Sequence, residues 1–166
     1  MPFLQLTLAD VIIQGMEKLL EKLRGIVISA PSAREGMQEM VSLLRSEVPH
    51  YSWVGIYLLE GGKLVLGAWD GPEATEHTSI DVGAGICGLA ARTKETVIVD
   101  DVNARPEYLA CFPSTKSEIV VPLMRDDECV GEIDIDSNVP GAFTEADRRF
   151  LESAADLLVQ GFFQKP

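Results

Sequence analysis

The stretch VGEIDIDS, residues 130–137, alternates acidic residues with isoleucines. Successive side chains of a strand point to opposite faces, so this pattern predicts a β-strand with one isoleucine face and one carboxylate face. Alternating acids are typical of a solvated face, which is the first interpretation of Glu132, Asp134 and Asp136. In the second interpretation this face lies under a covering loop, where Asp134 and Asp136 hold a cationic group of a ligand.

The elements around this strand indicate the fold class. A partner strand is predicted at 119–124 and an earlier hairpin at 51–69, and amphipathic helices flank this strand-rich middle. Thr7 with Asp10 resembles a capping box, with Asp in place of the usual Glu, at the start of a first helix expected at about 7–30. Ser32 and Glu35 form an S-x-x-E box that opens a second helix, and Thr144 caps a terminal helix. This order predicts an α+β fold with a central, mostly antiparallel sheet, terminal helices on one face and a loop-covered ligand pocket on the other.

Length and charge limit the number of domains and the kinds of partner that this chain can have. A chain of 166 residues with 46% hydrophobic residues suits a single domain over 1–166, with its core at about 32–162. The net charge of −12 and the lack of a Lys/Arg cluster argue against nucleic acid and anionic membrane surfaces as partners. The apolar runs are shorter than a membrane span, and residues 1–6 lack a basic signal-peptide region, so a cytoplasmic protein is expected.

The cysteines are expected to be reduced. Cys87, Cys111 and Cys129 form no C-x-x-C pair, and three cysteines in such a chain do not suggest a disulfide framework. His50 and His77 show no metal-ligand spacing with them. No metal site and no cofactor are therefore predicted.

Cys111 and Glu118 form a candidate redox pair. Cys111 lies near the end of a long loop, 100–116, and Glu118 stands at the mouth of the next strand. A thiol and a carboxylate so placed can share one small pocket. The alternatives are that Leu109 and Phe112 bury Cys111 as an inert thiol, and that Glu118 accepts hydrogen bonds from loop N–H groups.

Three more residues are candidates for the same pocket. Cys87 begins a short predicted helix, and a helix N-terminus lowers a thiol pKa; its alternative role is a small buried residue. Trp53 and Tyr57, four residues apart on a strand, point to the same side of the sheet. Aromatic rings beside carboxylates suit a small ammonium ligand, through charge pairing and cation–π contact.

Taken together, five segments resemble a GAF domain: GAGICGLA at 83–90, DDV at 100–102, SEIVVPL at 117–123, VGEIDIDS at 130–137 and GAFTEAD at 141–147. The resemblance covers about residues 10–162. It implies a central antiparallel sheet flanked by helices, with a small-molecule pocket on the loop side.

Within this superfamily the chain most resembles the free methionine-(R)-sulfoxide reductases, stand-alone GAF proteins that act on the free amino acid. The resemblance implies that Cys111 is the nucleophile and that Glu118 supplies a proton. A second thiol, either Cys87 or an external one, then forms a disulfide for a thioredoxin-type donor to reduce. It implies a substrate pocket lined by Trp53, Tyr57, Glu118, Asp134 and Asp136. A homodimer is expected.

The chain departs from that family at two places. Many members carry a further recycling cysteine ten residues before the position of Cys87, where this chain has His77. Around the nucleophile the chain reads YLACF at 108–112, which is closer to the loop of sensor-type GAF domains. The alternative function is therefore a non-catalytic GAF module that binds a small molecule and signals through a partner.

Overall fold

The two N-terminal helices begin at the predicted capping residues. In the computed structural model, which describes residues 6–165, Thr7 caps α1 (Leu8–Ser29). Its hydroxyl accepts from Asp10 N at 3.1 Å, and Asp10 Oδ2 accepts from Thr7 N at 2.8 Å, so the capping box with aspartate is confirmed. Ser32 caps α2 (Ala33–Glu47) by accepting from Glu35 N.

Residues 1–5, which carry most of the predicted lack of a basic signal-peptide region, lie outside the described part of the chain. Within residues 6–165, no helix has both the length and the apolar character required to cross a bilayer.

The middle of the chain forms one six-stranded antiparallel sheet. The elements after α2 are β1 (Trp53–Glu60), β2 (Lys63–Asp70), β3 (Ser79–Asp81), α3 (Gly85–Thr93), β4 (Val97–Val99), β5 (Ser117–Arg125), β6 (Glu128–Ser137) and α4 (Glu145–Phe162). The strand order in the sheet is β3-β2-β1-β6-β5-β4, and every neighbouring pair is antiparallel. The predicted α+β fold with an antiparallel sheet is confirmed. The β1–β2 turn uses Gly61 and Gly62 at φ +56° and +80°, a left-handed backbone that favours glycine.

Three helices, α1, α2 and α4, cover one face of the sheet, as predicted. The alternation of β6 turns Ile133 and Ile135 to this side, where both are fully buried with Leu23, Met40 and other helix residues. Burying one such side chain contributes about 1.5–3 kcal/mol relative to leaving it exposed. This packing fixes which face each β6 residue occupies.

The opposite face is covered by α3 as well as by loop 100–116, so the expectation that the loop alone covers it is incomplete. Backbone hydrogen bonds hold both ends of the loop: Val102 N donates to Lys116 O at 2.9 Å, and Lys116 N donates to Ser137 O at 2.8 Å. The loop is thereby fixed beside the end of β6, over its carboxylate face.

Candidate active site

The carboxylates of β6 are buried. Glu132 and Asp134 are 0% exposed and Asp136 is 2% exposed, so the interpretation of a solvated face is wrong and this face is covered. That Asp134 and Asp136 hold a cationic group of a ligand stays a prediction. In the sheet register Asp136 lies opposite Trp53 on β1 and opposite Glu118 on β5. The antiparallel register therefore brings an aromatic ring and two acids from three strands to one place.

Glu118 is also buried, at 4% exposure. No N–H or O–H group within residues 6–165 donates to its Oε2, so the alternative role as an acceptor for the loop finds no support at this atom. Both carboxylate oxygens of Glu132, Asp134 and Asp136 are likewise buried without a hydrogen-bond partner among those residues. Burying an unpaired carboxylate is costly, so such groups take up a proton or bind a cation.

The protonation of the cluster follows from its burial. Burial raises the pKa of Glu118 and of Asp136 well above the ordinary carboxyl value, and the charge of Asp134 raises both further. Burial also raises the pKa of Glu132, and it raises the pKa of Asp134 to about 6. Glu118 and Asp136 therefore hold their protons more strongly than ordinary carboxyl groups do.

Cys87 lies in the first turn of α3 and is buried against the cluster. The prediction of a lowered pKa at this helix end is wrong: burial raises the pKa of the Cys87 thiol, and the charges of Asp134 and Glu132 raise it further. The partial positive charge of a helix end, about half an elementary charge, does not offset these effects. Cys87 is thus a protonated thiol in this structure.

Cys111 is half-buried in loop 100–116, and its Sγ donates to Leu109 O at 3.8 Å. Burial raises the pKa of its thiol, and the negative charges of Asp134 and Asp136 raise it further. Cys111 packs against the buried cluster that contains Trp53, Tyr57 and Cys87. The next residue, Phe112, is buried and packs on Trp53 with ring centroids 5.8 Å apart.

Trp53 forms an aromatic wall of the site. Its indole stacks on Trp69 at a centroid distance of 6.3 Å, and its buried Nε1 has no hydrogen-bond partner among residues 6–165. The ring lies across Gly55 and Gly71, where an added Cβ would come within 2.3 Å and 2.2 Å of indole carbons. The two glycines therefore make room for the indole.

Tyr57 and His77 connect the sheet to the loops above the site. The Tyr57 hydroxyl donates to His77 O at 2.8 Å, and His77 Nε2 lies 3.0 Å from Ala110 O, next to Cys111. His77 occupies the position at which many free methionine-(R)-sulfoxide reductases carry a recycling cysteine. This position is thus in contact with the loop that carries Cys111.

The structure brings three of the predicted site residues close together and adds a fourth acidic residue that was not predicted. Cys87 Sγ and one carboxylate oxygen each of Glu118 and Asp134 all lie within 4.8 Å of one another. Glu132, not selected as a site residue, is as buried as Asp134 and lies on the same face of β6. Its place in the alternation with Asp134 and Asp136 was the available signal.

Comparison with known proteins gives the same assignment as the motifs. The family model described as GAF domain matches residues 31–162. GAF domain-containing protein A of Dictyostelium discoideum is 34% identical, over 86% of this chain and 89% of the relative.

Two solved structures are also similar along most of their length. The type II free methionine-R-sulfoxide reductase from Thermoplasma acidophilum is 44% identical, with a TM-score of 0.74, and the match covers 87% of this chain and 97% of that one. The Neisseria meningitidis free methionine-R-sulfoxide reductase, solved with its substrate, is 32% identical with a TM-score of 0.85, over 98% and 96%. The resemblance inferred from the motifs is confirmed: this chain belongs to the GAF domain family.

Proposed function

We propose that this protein reduces free methionine-(R)-sulfoxide to methionine, with Cys111 as the nucleophile. The observation that carries the proposal is that Cys111 packs against the buried cluster of Trp53, Tyr57 and Cys87, on the side of the sheet that carries unpartnered carboxyl groups. The similarity to two structures of free methionine-R-sulfoxide reductases supports it. Such a site matches a substrate with a positive group close to a reducible sulfur.

The carboxylates supply the specificity for a free amino acid. Asp134 and Asp136 would pair with the substrate ammonium, which satisfies oxygens that lack partners within residues 6–165. In a peptide the same nitrogen is an uncharged amide, so peptide-bound methionine sulfoxide would leave these oxygens unsatisfied. The indole of Trp53 and the ring of Tyr57 would contact the apolar part of the substrate and its ammonium.

The reaction transfers one oxygen atom. The Cys111 sulfur attacks the sulfoxide sulfur, and the neutral Glu118 carboxyl gives a proton to the sulfoxide oxygen. Two electrons pass from the Cys111 sulfur to the substrate, methionine leaves as the thioether, and the oxygen remains on Cys111 as sulfenic acid. The thiol proton of Cys111 passes to a carboxylate of the cluster, so the proton count is balanced.

Recycling would use Cys87. Its thiol attacks the sulfenic sulfur of Cys111, a disulfide forms and water leaves, and a thioredoxin-type dithiol then reduces the disulfide. The three cysteines do not have the number or spacing of a disulfide framework, which supports work in a reducing compartment such as the cytoplasm.

The high pKa of Cys111 requires an activating event. The empty site carries negative charge that opposes thiolate formation. A bound ammonium adds a positive charge next to Asp134 and Asp136, which lowers the pKa of the neighbouring thiol. The substrate thus assists the formation of its own nucleophile.

The test is turnover of free L-methionine-(R)-sulfoxide with thioredoxin, thioredoxin reductase and NADPH. Cys111→Ser is expected to abolish methionine formation. Cys129→Ser is the matched control, because Cys129 Sγ donates to Gly131 O at 3.2 Å within β6 and serves no step of the mechanism. Turnover that persists in Cys111→Ser would remove the basis of the proposal.

A non-catalytic ligand-binding module is the second candidate, favoured by the raised pKa of the Cys111 thiol in the empty site. It predicts that methionine or its sulfoxide binds in calorimetry while no methionine is produced. The turnover assay and the binding isotherm together separate the two functions.

We also propose a homodimer through α1. Its first turns expose apolar side chains: Leu8, Val11, Ile12 and Ile13 are 77%, 53%, 45% and 49% exposed. Exposed apolar patches are typical of interaction sites. Ile12→Glu is expected to convert a dimer to a monomer in light scattering, whereas a wild-type monomer would contradict the proposal.

A further inference from the structure

Three buried groups from three elements form a compact set of metal ligands. Cys87 comes from α3, Glu118 from β5 and Asp134 from β6, and their Sγ and carboxylate oxygens lie within 4.8 Å of one another. In a tetrahedral zinc site the ligands lie about 2.0–2.3 Å from the ion, so ligand atoms are separated by roughly 3–4 Å. The observed limit of 4.8 Å is close to that separation.

Buried carboxyl oxygens without a hydrogen-bond partner within residues 6–165 are a second observation that favours a cation at this set. Both oxygens of Asp134 and Oε2 of Glu118 are buried without a hydrogen-bond partner within residues 6–165. The same holds for both oxygens of Asp136, which lies opposite Glu118, and of Glu132, which flanks Asp134 on the same face. The site therefore offers a concentration of negative charge that a divalent ion neutralises better than a proton does.

We propose that Cys87, Glu118 and Asp134 bind a divalent transition-metal ion of the zinc class. The sulfur ligand selects such an ion over Mg²⁺ and Ca²⁺, which prefer oxygen ligands alone. On binding, the Cys87 thiol and the Glu118 carboxyl each release a proton to solvent, and the thiolate sulfur and the carboxylate oxygens bond to the metal. The bound ion occupies the space next to Asp134 in which the substrate ammonium would lie.

The metal site is inferred from the positions and burial of its ligands and does not depend on the proposed function. Its regulatory effect does rest on the proposed function. A metal ion at this place would block ammonium binding and would hold the Cys87 sulfur away from Cys111. The ion would therefore act as a reversible inhibitor, removed by a chelator, of both substrate binding and recycling.

The test is a titration of the reduced, full-length protein with Co²⁺, whose bond to a thiolate gives a charge-transfer band in the near ultraviolet. We expect this band to appear with one equivalent of Co²⁺ and to disappear when Zn²⁺ displaces it. Cys87→Ser is expected to remove the band and to weaken binding at least about tenfold. Cys129→Ser is the matched control and should keep the band, because its thiol lies outside the ligand set.

Two results would overturn the site: a band that persists in Cys87→Ser, or a band that is lost only in Cys111→Ser. Asp134→Asn gives a second, thiol-independent check, since it should weaken Co²⁺ binding at least about tenfold while the band, at saturation, is retained. Folding of each variant is verified by circular dichroism. Turnover without added metal, measured separately, distinguishes the two proposals: activity without Co²⁺ binding refutes only the metal site, and Co²⁺ binding without activity refutes only the reductase.

Discussion

Glu118 and Asp136 lie directly opposite each other on β5 and β6, and both side chains are buried. Like charges at directly opposed positions of a sheet are destabilising when both are ionised. Burial and the charge of Asp134 raise the pKa of both, so the folded protein tolerates the pair by keeping protons on it. A buried site of this kind exchanges those protons for a cationic ligand.

The first prediction concerns stability and pH. The pKa of Asp134 is about 6 in the folded protein against 3.8 ordinarily, and those of Glu118 and Asp136 are also raised. The folded state thus binds more protons than the unfolded state above about pH 4, so the free energy of unfolding falls as pH rises through and beyond 6. Thermal unfolding is expected at a Tm several degrees lower at about pH 8 than at about pH 5.

Asp136→Asn is the control for that prediction, because it removes one titrating carboxyl and should flatten the pH dependence. Added methionine should stabilise the wild type more at the higher pH, where more carboxylates are ionised. A wild-type Tm that rises between these pH values would contradict the raised pKa values.

The second prediction uses the contact between Gly55 and Trp53. In Gly55→Ala the new Cβ would lie 2.3 Å from the indole, so the ring must move. Overpacking of this kind costs about 1–3 kcal/mol of stability. Because Trp53 is the proposed contact of the substrate's apolar part, KM for the sulfoxide should rise several-fold, measured by steady-state kinetics. Gly83→Ala is the matched control, since its Cβ would meet nothing within 4 Å, and equal effects of the two changes would refute the argument.

The third prediction concerns recycling. His77 contacts Ala110, next to Cys111, so a thiol placed at position 77 lies near the nucleophile. His77→Cys is expected to form a 77–111 disulfide after one turnover, detected by mass spectrometry, and to speed the thioredoxin-coupled reaction. His77→Ser loses the same imidazole contact without gaining a thiol, and it should show neither effect. A disulfide found only between Cys87 and Cys111 in both variants would count against the prediction.

The fourth prediction concerns the stability that Asp147 contributes at the start of α4. Asp147 caps α4 and accepts from Thr144 N at 2.8 Å and from the Tyr51 hydroxyl at 2.9 Å. Burial alone would raise its pKa, but these bonds and His50, 2.9 Å away, lower the pKa to about 2. Its stabilising contribution is therefore complete above about pH 4 and is lost as pH falls toward 2.

Asp147→Asn should destabilise the fold by about 1–3 kcal/mol at neutral pH, measured by urea unfolding. Asp156→Asn, on an exposed position of the same helix, is the control and should change stability little. An equal loss in both variants would contradict the assigned role of the buried cap.

Local features were predictable from the sequence because their causes are local. The Thr7, Ser32 and Thr144 caps each depend on residues within one helical turn, and all three are confirmed. The period of residues 130–137 likewise predicted a strand with two chemically different faces. Whether the carboxylate face is also buried depends on α3 and on loop 100–116. The alternation within the strand carries no information about either.

The site was predicted less completely because it combines distant segments. The helix-end argument for Cys87 considered only α3, whereas burial and the acids of β6 determine its pKa. The approach of Cys87 to Glu118 and Asp134 is a property of three elements together, and no sequence spacing encodes it. Glu132 shares the alternation of Asp134 and Asp136, but only those two residues were predicted to hold a ligand.

The alternation along β6 also protects the fold against misassembly. A slip of one residue in pairing would exchange the two faces, placing Asp134 and Asp136 among the helix side chains and moving Ile133 and Ile135 into the polar pocket. The misaligned sheet would lose its apolar packing and its ligand site in the same step. A chain that folds stably has therefore already placed its chemical groups in register, so the strand pairing that stabilises the sheet also assembles the ligand site.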